Sequence, residues 1–453
     1  MERTPVSLGK LVKTLHITNA WHASSGGIAT FYRALMDAAN QRKHDMRLVV
    51  PSSEDSVEEC GSYGRIYCVR ARPAPLNPEY RMMRPNVYLR RGTQLRQILN
   101  QERPDLIEVC DKYTLNYFAG MLRSGMMGDV VVRPLVVGIS CERMDDNVRA
   151  YLGWNRLSQS LVEFYMKWLY FALFDHHIAN SDYTAEELRR ASIGHPIRRG
   201  VWVRPMGVDA HDLSPKHRTS FSRYDLLQRA QSGPQSALLL YVGRLAPEKN
   251  IRLLLSTLDA LRREDSPAWH LLVVGDGVQR QEFLSEGERR APGRVTWLGH
   301  IRDRKELARV YASCDVFIHP NPREPFGIAP LEAMACGLPV VVPDRGGVRA
   351  YADSTNAWIA PPDGESFASA VRDAVSNRHV RETKVAKALA TAAEFSWDRI
   401  ANSFLDLYED LWGNSQGYPG RLMADFYSTP PRGNKSPVAR LTAGLVQRLL
   451  ATR

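Results

Sequence analysis

The sequence of 453 residues lacks several patterns that would place it in familiar classes of protein. Its six cysteines include no Cys-x-x-Cys pair, which predicts reduced thiols in a cytosolic protein and no zinc site. No run of about 18 apolar residues occurs, so the sequence predicts no transmembrane helix. The first residues form a short charged lead into a strand and do not resemble a secretion signal. We therefore expect a cytoplasmic protein.

Patterns that bind common cofactors and metals are missing as well. The loop around Gly26 and Gly27 does not complete a Gly-x-Gly-x-x-Gly motif, which argues against a dinucleotide-dependent dehydrogenase. His176 and His177 are adjacent, and adjacent side chains on a strand point to opposite faces, so they do not form a chelating pair. The sequence predicts neither a bound metal nor a cofactor.

The composition is that of a folded globular protein with a large positive charge. Apolar residues make up 44% and charged residues 24% of the chain, and the net charge is +11. This charge predicts an anionic partner, which could be nucleic acid, an anionic membrane surface or a phosphorylated substrate. We expect no nucleic-acid partner, because no stacking aromatics are interleaved with the arginines of the first half, which include Arg81, Arg84, Arg90 and Arg91.

The segment from residue 437 to residue 453 spaces its aliphatic residues as in an amphipathic helix, with arginines outside the apolar stripe. Such a helix lies on a membrane surface or docks on another part of the protein, and the sequence leaves both alternatives open. Together with the positive charge, the first alternative predicts peripheral association with the inner face of an anionic membrane.

The order of strand-like and helical segments predicts an α/β fold. Short β-branched runs alternate with longer helical patterns over residues 1–210, and the alternation restarts over residues 236–412. Residues 211–235 are polar, lack a sustained apolar period and are interpreted as a linker. We expect two doubly wound, Rossmann-like domains with parallel sheets, and a ligand site in the cleft between the carboxyl ends of those sheets.

The most informative stretch, residues 319–341, contains two carboxylates, Glu324 and Glu332, with seven residues between them. Gly327 disfavours a helix directly after Glu324. Pro330 suits the first turn of a following helix that carries Glu332. One carboxylate is therefore predicted in a loop and the other on a helix. Carboxylates bind hydroxyl groups and a helix N-terminus favours phosphate, so this stretch is suited to a sugar nucleotide.

Two further strand ends carry candidate binding residues. Arg244 and Lys249 follow Gly243 at the end of a predicted strand, where two cations suit a diphosphate. Gly26 and Gly27 join the first predicted strand to the first helix, and they expose backbone N–H groups that form an anion nest.

These motifs resemble the signature of the retaining glycosyltransferases of family 4, most strongly over residues 240–345. The resemblance implies the GT-B fold, in which two Rossmann-like domains face each other across a cleft. It also implies that the helix at residues 397–412 crosses back, so that residues 413–453 pack on the first domain. The implied donor is a nucleoside diphosphate sugar, bound without a metal, and the chain has no Asp-x-Asp motif for holding manganese.

The resemblance implies roles for individual residues. Arg244 and Lys249 would neutralise the leaving diphosphate, where stabilisation of developing charge is the main catalytic effect. Glu324 would bind the hydroxyls of the donor sugar, and Glu332 would bind those of the ribose. The other donor-binding candidates implied by the resemblance are Gly26, Gly27, Gly243, Asp276, Phe326, Gly327, Ile328, Ala329 and Leu331.

Residues 140–145 resemble a Ser-His-Glu-Arg-Leu-Asp element of bacterial mannosyltransferases in this family, but Cys141 stands where those relatives have histidine. That histidine lies beside the donor sugar, which makes Cys141 a catalytic candidate. A thiol does not match imidazole as donor and acceptor at neutral pH, so a packed residue at a strand end is an equal interpretation. The acceptor-side candidates implied by the resemblance are Asp111, Tyr113, Glu142, Arg143 and Asp145.

The function implied by the resemblance is a retaining hexosyltransferase of cell-envelope glycolipid or polysaccharide synthesis. The motifs favour GDP-mannose as the donor, with UDP-glucose or another UDP-hexose next. The acceptor is a lipid, a saccharide or a small metabolite, and the sequence does not distinguish them. Two alternatives stay open: a sugar-nucleotide-binding protein with weak or no transferase activity, suggested by Cys141, and a sugar-nucleotide epimerase with the same fold.

Overall fold

The computed structural model describes residues 12–22, 26–74, 77–130, 134–195, 200–263 and 268–415. The predicted amphipathic helix at residues 437–453 lies outside these ranges. So does the predicted packing of residues 413–453 on the first domain, apart from residues 413–415.

The first half of the chain folds around a sheet of eight strands and a separate two-stranded hairpin. The strands are β1 (Thr14–Thr18), β2 (Met46–Ser52), β3 (Ser56–Cys60), β4 (Gly64–Arg70), β5 (Arg72–Ala74), β6 (Asn77–Met82), β7 (Leu106–Cys110), β8 (Leu135–Ser140), β9 (His176–Ala179) and β10 (Gly200–Val203). The sheet order is β10-β9-β8-β7-β1-β2-β4-β3, and β5 pairs with β6. All neighbours in the large sheet are parallel except β3 and β4.

Helices cover both faces of this sheet. They are α1 (Gly26–Arg42), α2 (Gln94–Glu102), α3 (Leu115–Arg123), α4 (Met144–Tyr151), α5 (Arg156–Phe164) and α6 (Asp182–Ser192), and a π-helical turn, Tyr165–Tyr170, continues α5. Successive residues of a strand point to opposite faces of the sheet and pack in different hydrophobic clusters. Val136 of β8 packs in one cluster and Val137 in another. A parallel sheet that is buried on both faces reads as an uninterrupted apolar run, which is why these strands were recognisable in the sequence.

The second half repeats the plan with a six-stranded parallel sheet. Its strands are β11 (Ala237–Val242), β12 (Trp269–Val274), β13 (Val295–Gly299), β14 (Val316–Ile318), β15 (Val340–Pro343) and β16 (Trp358–Ala360), in the order β13-β12-β11-β14-β15-β16. Its helices are α7 (Ser220–Arg229), α8 (Arg252–Leu261), α9 (Arg280–Arg290), α10 (Arg304–Ser313), α11 (Ile328–Ala335), α12 (Gly364–Ser376), α13 (Arg378–Glu394) and α14 (Trp397–Ser415). The predicted α/β class with two doubly wound parallel sheets is confirmed. Within the described ranges, every helix is too short or too polar to cross a membrane.

The predicted linker, residues 211–235, is not irregular throughout. It contains α7, where Thr219 and Ser222 form a capping box at the N-terminus. Leu226 and Leu227 of α7 are buried, and the Ser222 hydroxyl lies 2.7 Å from that of Ser313 on α10. The helix has only two strongly apolar positions to bury, so the sequence shows no sustained period there.

The return toward the first half begins at α14. The backbone N–H of Val208, shortly after β10, donates to the carbonyl of Phe395 at 2.8 Å, and Trp397 N–H donates back to Val208 at 3.1 Å. Phe404 of α14 then packs against Phe31 of α1, with ring centroids 4.8 Å apart. This helix belongs with the first half because its apolar face needs the α1 surface for burial.

A buried carboxylate fastens α14 to the first sheet. Glu108 of β7 accepts a hydrogen bond from Tyr32 of α1 at 2.7 Å and another from Tyr408 of α14, and His16 of β1 lies 3.3 Å from it. Burial alone raises the pKa of Glu108, but the His16 ring and the hydrogen bonds from His16 and the two tyrosines outweigh it and lower the pKa. One carboxylate thus ties together three elements of the first half and the returning helix.

We predict that Tyr408→Phe destabilises the protein by about 1–3 kcal/mol, because it leaves a buried carboxylate short of one donor. The measurement is the urea unfolding midpoint, followed by circular dichroism. Tyr224→Phe on α7 is the matched control, since Tyr224 is exposed and its change should stay within about 0.5 kcal/mol. Equal midpoints for Tyr408→Phe and the wild type would show that Glu108 does not hold α14.

Candidate active site

Residues that follow β7, β8, β11 and β14 line one cavity of about 480 Å³, a size typical of small-ligand sites. Parallel strands bring these carboxyl ends to one edge of each sheet, and the two edges face each other here. The predicted site residues that line this cavity are Gly27, Asp111, Tyr113, Cys141, Glu142, Arg143, Arg244, Lys249, Glu324, Phe326, Gly327 and Ile328.

The centre of the second-half wall is an ion pair between Lys249 and Glu324. The Lys249 ammonium donates to both carboxylate oxygens of Glu324, at 2.9 and 2.8 Å, and Asn321 Nδ2 donates to one of them at 3.1 Å. The Glu324 side chain is only 12% exposed. A carboxylate at this depth needs such partners to remain ionised.

The electrostatics of this pair favour the charged form of the acid. Burial raises the pKa of Glu324, but the charges of Lys249 and His319 and the hydrogen bonds from Lys249 and Asn321 outweigh it and lower the pKa to about 2. Burial also lowers the pKa of His319 to about 4, against the pull of the Glu324 carboxylate. At neutral pH the site therefore holds an ionised Glu324 beside an uncharged imidazole.

The loop that carries Glu324 is fixed from both halves of the protein. Gly327 has a φ of 85°, a left-handed conformation that favours glycine, and it ends the loop at the start of α11. The Gly347 N–H donates to the Glu324 carbonyl at 2.6 Å, and a Cβ at Gly347 would lie 1.8 Å from the Pro325 carbonyl oxygen. From the first half, the Ser181 hydroxyl donates to that same oxygen at 2.5 Å.

Glu332 lies on α11, so the predicted placement of one carboxylate in a loop and one on a helix is confirmed. It accepts a hydrogen bond from Tyr311 at 2.9 Å and lies 3.8 Å from Arg304. Burial raises its pKa, as does Asp209, and the Arg304 charge and the Tyr311 hydrogen bond only partly offset this. Glu332 is not among the residues that line the cavity, and its role with a ribose stays a prediction.

Arg244 projects from the end of β11 and its side chain is 66% exposed. Its guanidinium lies 3.0 Å from Glu248, which also accepts a hydrogen bond from Tyr151 of α4 at 2.6 Å. Glu248 therefore contacts the first half as well as Arg244. The two cations of the motif, Arg244 and Lys249, line the same cavity, and each already has a carboxylate partner.

Two helix N-termini meet at the cavity. Gly26 and Gly27 begin α1, and a Cβ added to Gly27 would lie 2.9 Å from the Cδ1 atom of Ile328, the first residue of α11. Helix N-termini carry partial positive charge and unsatisfied N–H groups, so this junction favours an anion. Phe326 precedes it and packs on Tyr351, with ring centroids 5.2 Å apart.

The remaining donor-side candidates lie away from the cavity lining. Leu331 is fully buried on α11, so its side chain belongs to the core, and Ala329 lies two residues earlier on the same helix. At the β12 end, Asp276 pairs with Arg280 at 2.9 Å. Glycine at two positions allows the ends of β11 and β12 to pack closely: a Cβ on Gly275 would lie 2.0 Å from the Gly243 carbonyl oxygen, and a Cβ on Gly243 would lie 2.7 Å from the Tyr241 hydroxyl oxygen.

On the first-half wall, Asp111 and Tyr113 border the cavity, as does Glu142. Asp111 Oδ1 accepts the N–H groups of Tyr113, Thr114 and Leu115 at 2.6 to 2.9 Å, so it also caps α3. Asn147 Nδ2 bridges Tyr113 Oη at 3.0 Å and Glu142 at 2.9 Å.

Arg143 and Asp145 are occupied with each other. Arg143 donates two hydrogen bonds to the Asp145 carboxylate, at 2.9 and 2.5 Å, and a third to the Tyr183 carbonyl at 2.7 Å. Asp145 does not line the cavity, and we do not assign it an acceptor contact. The pair instead fixes the start of α4.

Cys141 lines the cavity beside Cys110, and both are free thiols. A hydrogen bond with Cys110 and burial raise the pKa of Cys141 well above its usual value, and the Cys110, Glu108 and Glu142 charges add to the effect. Cys141 is therefore a neutral thiol at physiological pH.

The sequence analysis did not single out several residues that line the cavity. Glu248 and Asn321 lie within the recognised motifs, a few residues from Arg244 and Glu324. Their closeness in sequence to these predicted site residues could have predicted their place at the cavity. Asp146 and Asn147 reach the cavity from α4, and no local pattern marks them. Among the described residues, no group of three or more His, Cys, Asp or Glu side chains is arranged to hold a metal ion.

Comparisons with known proteins agree with this geometry. A family model described as Glycosyltransferase Family 4 matches residues 25–211, and one described as Glycosyl transferases group 1 matches residues 225–394. The chain is 33% identical over 416 residues to a GDP-mannose-dependent alpha-mannosyltransferase of Mycobacterium tuberculosis. The aligned region covers 89% of this chain and 97% of that protein.

Two other matches extend the comparison. A GDP-mannose-dependent alpha-(1-6)-phosphatidylinositol dimannoside mannosyltransferase of Mycobacterium tuberculosis is 27% identical over 395 residues, covering 87% of this chain and 95% of that protein. The structure of a sucrose-phosphate synthase from Thermosynechococcus elongatus has a TM-score of 0.71 at 20% identity, covering 89% of this chain and 100% of that one. This likeness shows the shared GT-B fold.

The two family models together span both halves of the chain, and the 33% identical relative is matched over nearly its whole length. The resemblance predicted from the strand-end motifs is thereby confirmed. The chain belongs to glycosyltransferase family 4.

Proposed function

We propose that this glycosyltransferase moves mannose from GDP-mannose to a hydroxyl of a glycolipid or polysaccharide, with retention of configuration. The observation that carries the proposal is the Lys249–Glu324 pair, which sets an ionised carboxylate and a cation side by side in the cavity. Mannose is favoured over glucose because both Mycobacterium tuberculosis relatives are named GDP-mannose-dependent mannosyltransferases. A UDP-hexose is the second choice.

The donor diphosphate would bind where the two cations and the two helix N-termini meet. Arg244 and Lys249 are held by Glu248 and Glu324 in the ligand-free site, so phosphate oxygens would share cations that are already in place. Preorganised charge of this kind stabilises a leaving group without further rearrangement. The N-termini of α1 and α11 add N–H donors.

In the proposed reaction the acceptor hydroxyl attacks the anomeric carbon from the face that the diphosphate leaves. The bond between the anomeric carbon and the β-phosphate oxygen breaks, and a bond to the acceptor oxygen forms. The acceptor proton passes to the departing phosphate, so the protein supplies no covalent nucleophile. Glu324, ionised at neutral pH, binds hydroxyls of the transferred sugar and positions its anomeric carbon.

Cys141 is the observation that favours a second candidate, a sugar-nucleotide-binding protein without transfer. A neutral thiol at this place accepts and donates hydrogen bonds only weakly. Turnover by the wild-type protein decides between the candidates, since a binding protein would hold GDP-mannose and leave an added acceptor unglycosylated.

The test of the proposed function is a donor panel. We expect purified protein to release GDP from GDP-mannose when a membrane extract supplies acceptors, and to release UDP from UDP-glucose or UDP-galactose more slowly. Turnover of a UDP-sugar alone would reassign the donor, and a changed sugar without any acceptor would identify an epimerase.

The affinity of the donor site for GDP should depend on the charge of Lys249. We expect Lys249→Ala to weaken GDP binding by about 10- to 100-fold, because a charged phosphate contact is lost. Calorimetry measures this affinity. Lys305→Ala on the exposed start of α10 removes the same charge outside the cavity and should leave the affinity unchanged.

We predict that Glu324→Gln lowers kcat by about 100- to 1000-fold, because the amide keeps the shape of the side chain and loses the charge. GDP affinity should change little. The steady-state rate with GDP-mannose measures the effect. Activity within twofold of wild type would remove Glu324 from the reaction.

The pH dependence of stability gives a second readout for Glu324. Its pKa of about 2 in the folded protein lies below the ordinary value of 4.5. The ionised carboxylate therefore stabilises the fold above pH 4.5, and this contribution disappears as the pH falls toward 2. The stability difference between wild type and Glu324→Gln should shrink over that same range.

We also propose that the first half rests on an anionic membrane through the outer face of α5 and its π-helical continuation. Four large apolar side chains, spaced four, three and four residues apart, are exposed there: Leu157 by 69%, Leu161 by 60%, Phe164 by 42% and Trp168 by 39%. Soluble proteins rarely expose a contiguous row of this kind.

Charge and position both support lipid as the occupant of this α5 face. Arg149 and Arg156 are exposed beside it, and the Lys167 ammonium lies 5.4 Å from the Trp168 ring centre. Cations flanking an apolar face match anionic headgroups over acyl chains. The neighbouring helix α4 contributes Asn147 and Ala150 to the cavity, so a lipid-borne acceptor would arrive close to it.

The α5 face predicts how membrane binding responds to mutation. Leu157→Ser with Leu161→Ser should reduce binding to phosphatidylglycerol vesicles by about tenfold or more, since two exposed leucines that the bilayer would bury are lost. Co-sedimentation measures it. Phe221→Ser on α7, which is 79% exposed, is the matched control. Unchanged binding by the double variant would refute the assignment, and a dimer in solution that the double variant abolishes would assign the face to a second copy.

A further inference from the structure

We propose that the acceptor subsite admits an uncharged sugar and rejects a phosphorylated one. The subsite is the part of the cavity formed by the first half, after β7 and β8. This inference rests on the proposed function and narrows its acceptor. It comes from the charges on that wall, because among the described residues each cation there already contacts a carboxylate, while other carboxylates border the cavity.

Three carboxylates line this wall: Asp111, Glu142 and Asp146. They come from the ends of the neighbouring strands β7 and β8 and from α4. Their field is felt by the Tyr80 hydroxyl in the same cavity, whose pKa is raised by burial and then by Asp111, Cys110 and Glu142, while Arg244 of the second half lowers it. An incoming dianion would meet this negative field.

Lys112 is a cation on this wall, but it is not available to bind a phosphate. Its side chain is only 2% exposed, and its ammonium donates to Glu187 at 2.7 Å and to the Glu142 carbonyl at 2.6 Å. The third direction of the ammonium is toward the Tyr170 ring, 5.5 Å away. With its charge paired and buried, Lys112 offers no donor to a ligand.

Arg143 is equally committed. Its guanidinium makes two hydrogen bonds to Asp145 and one to the Tyr183 carbonyl, and it lies 4.4 Å above the Tyr183 ring. Glu186 lies 3.5 Å away on the far side. If Arg143 moved toward a phosphate, the partly buried Asp145 carboxylate would lose its cation. Breaking a partly buried ion pair destabilises a protein more than breaking an exposed one.

Cations of the second half do not change this balance. Arg323 lies 3.8 Å from Asp146 of the first-half wall and already faces that carboxylate. Arg244 and Lys249 are the proposed ligands of the donor diphosphate. An acceptor phosphate would therefore compete for cations that the donor requires.

The same wall is well suited to a neutral polyol. Asn147 and Glu142 offer amide and carboxylate groups to hydroxyls, and Tyr113 presents a 43% exposed ring on which a sugar face can stack. His22 packs edge-on against Tyr80 at 4.5 Å, which adds a second aromatic surface. Rejection of like charge and acceptance of hydroxyls both give specificity here.

The experiment compares acceptors that differ only by a phosphate. Purified protein with saturating GDP-mannose at pH 8 is offered mannose, glucose or myo-inositol, and separately mannose 6-phosphate, glucose 6-phosphate or inositol 1-phosphate. We expect kcat/KM for the best neutral acceptor to exceed that for the best phosphorylated one by about tenfold or more. Phosphates used equally or better, or no neutral acceptor used at all while a phosphate is used, would overturn the inference.

A charge change at the wall sharpens the comparison. Glu142→Lys should move the ratio of phosphorylated to neutral kcat/KM upward by about tenfold or more, because it replaces repulsion with attraction. Glu382→Lys on α13 makes the same substitution at an exposed position outside the cavity and should leave the ratio unchanged. An unchanged ratio in the Glu142→Lys variant would also overturn the inference. If Glu142→Lys does not fold, the comparison of acceptors with the wild-type protein still tests the inference.

Failure of this inference and failure of the proposed function are distinguishable. Calorimetry with GDP and release of GDP from GDP-mannose test the donor side alone. Donor turnover with preference for a phosphorylated acceptor refutes only the acceptor inference. Absence of both GDP binding and donor turnover refutes the proposed function and the inference together.

Discussion

The contact between Lys249 and Glu324 is the constraint around which the second-half wall is built. The two residues follow β11 and β14, which are neighbours in the sheet, so parallel pairing brings their strand ends together before any side chain is placed. A buried carboxylate without a cation would be strongly destabilising, and this requirement fixes the loop from residue 321 to residue 327. Gly327 and Gly347 then follow, because only glycine fits where that loop turns and where Pro325 approaches. The site is thus organised for charge before a ligand arrives.

The Glu108 network plays the corresponding part for the first-half wall. Glu108 lies two residues before Cys110 on β7, and Cys110 and Asp111 are already at the cavity. Through Tyr408 it also holds α14, the helix that returns from the second half. The strand β7, which leads to the proposed acceptor wall, and the helix that joins the two halves therefore share one buried carboxylate. Packing of α14 on α1 adds apolar burial around this polar centre, which keeps its hydrogen bonds away from water.

Sequence patterns were sufficient where the chain obeys local rules and insufficient where distant segments meet. Gly327 and Pro330 located Glu324 in a loop and Glu332 on a helix, because both residues restrict the backbone on their own. The strand β3 was missed since its exposed, polar residues at the sheet edge lack the apolar run of the central strands. Helix α7 was hidden by its few apolar residues. Asn147 and Glu248 depend on α4 meeting the turn after β11, and no single segment encodes that approach.

Net charge is a property of the whole chain and does not identify a binding partner, as the distribution of charges at the cavity shows. The composition alone left three anionic partners open, yet in the protein with a charge of +11 the cations that line the cavity from both halves already contact carboxylates. These cations differ in exposure: the side chain of Arg244, which contacts Glu248, is 66% exposed at the cavity, and Arg149 and Arg156 are exposed near the α5 face. Buried cations such as Lys112 contribute to the total and to folding, but they are already paired. The exposure and pairing of the charges, more than their sum, therefore distinguish the proposed donor, acceptor and membrane contacts.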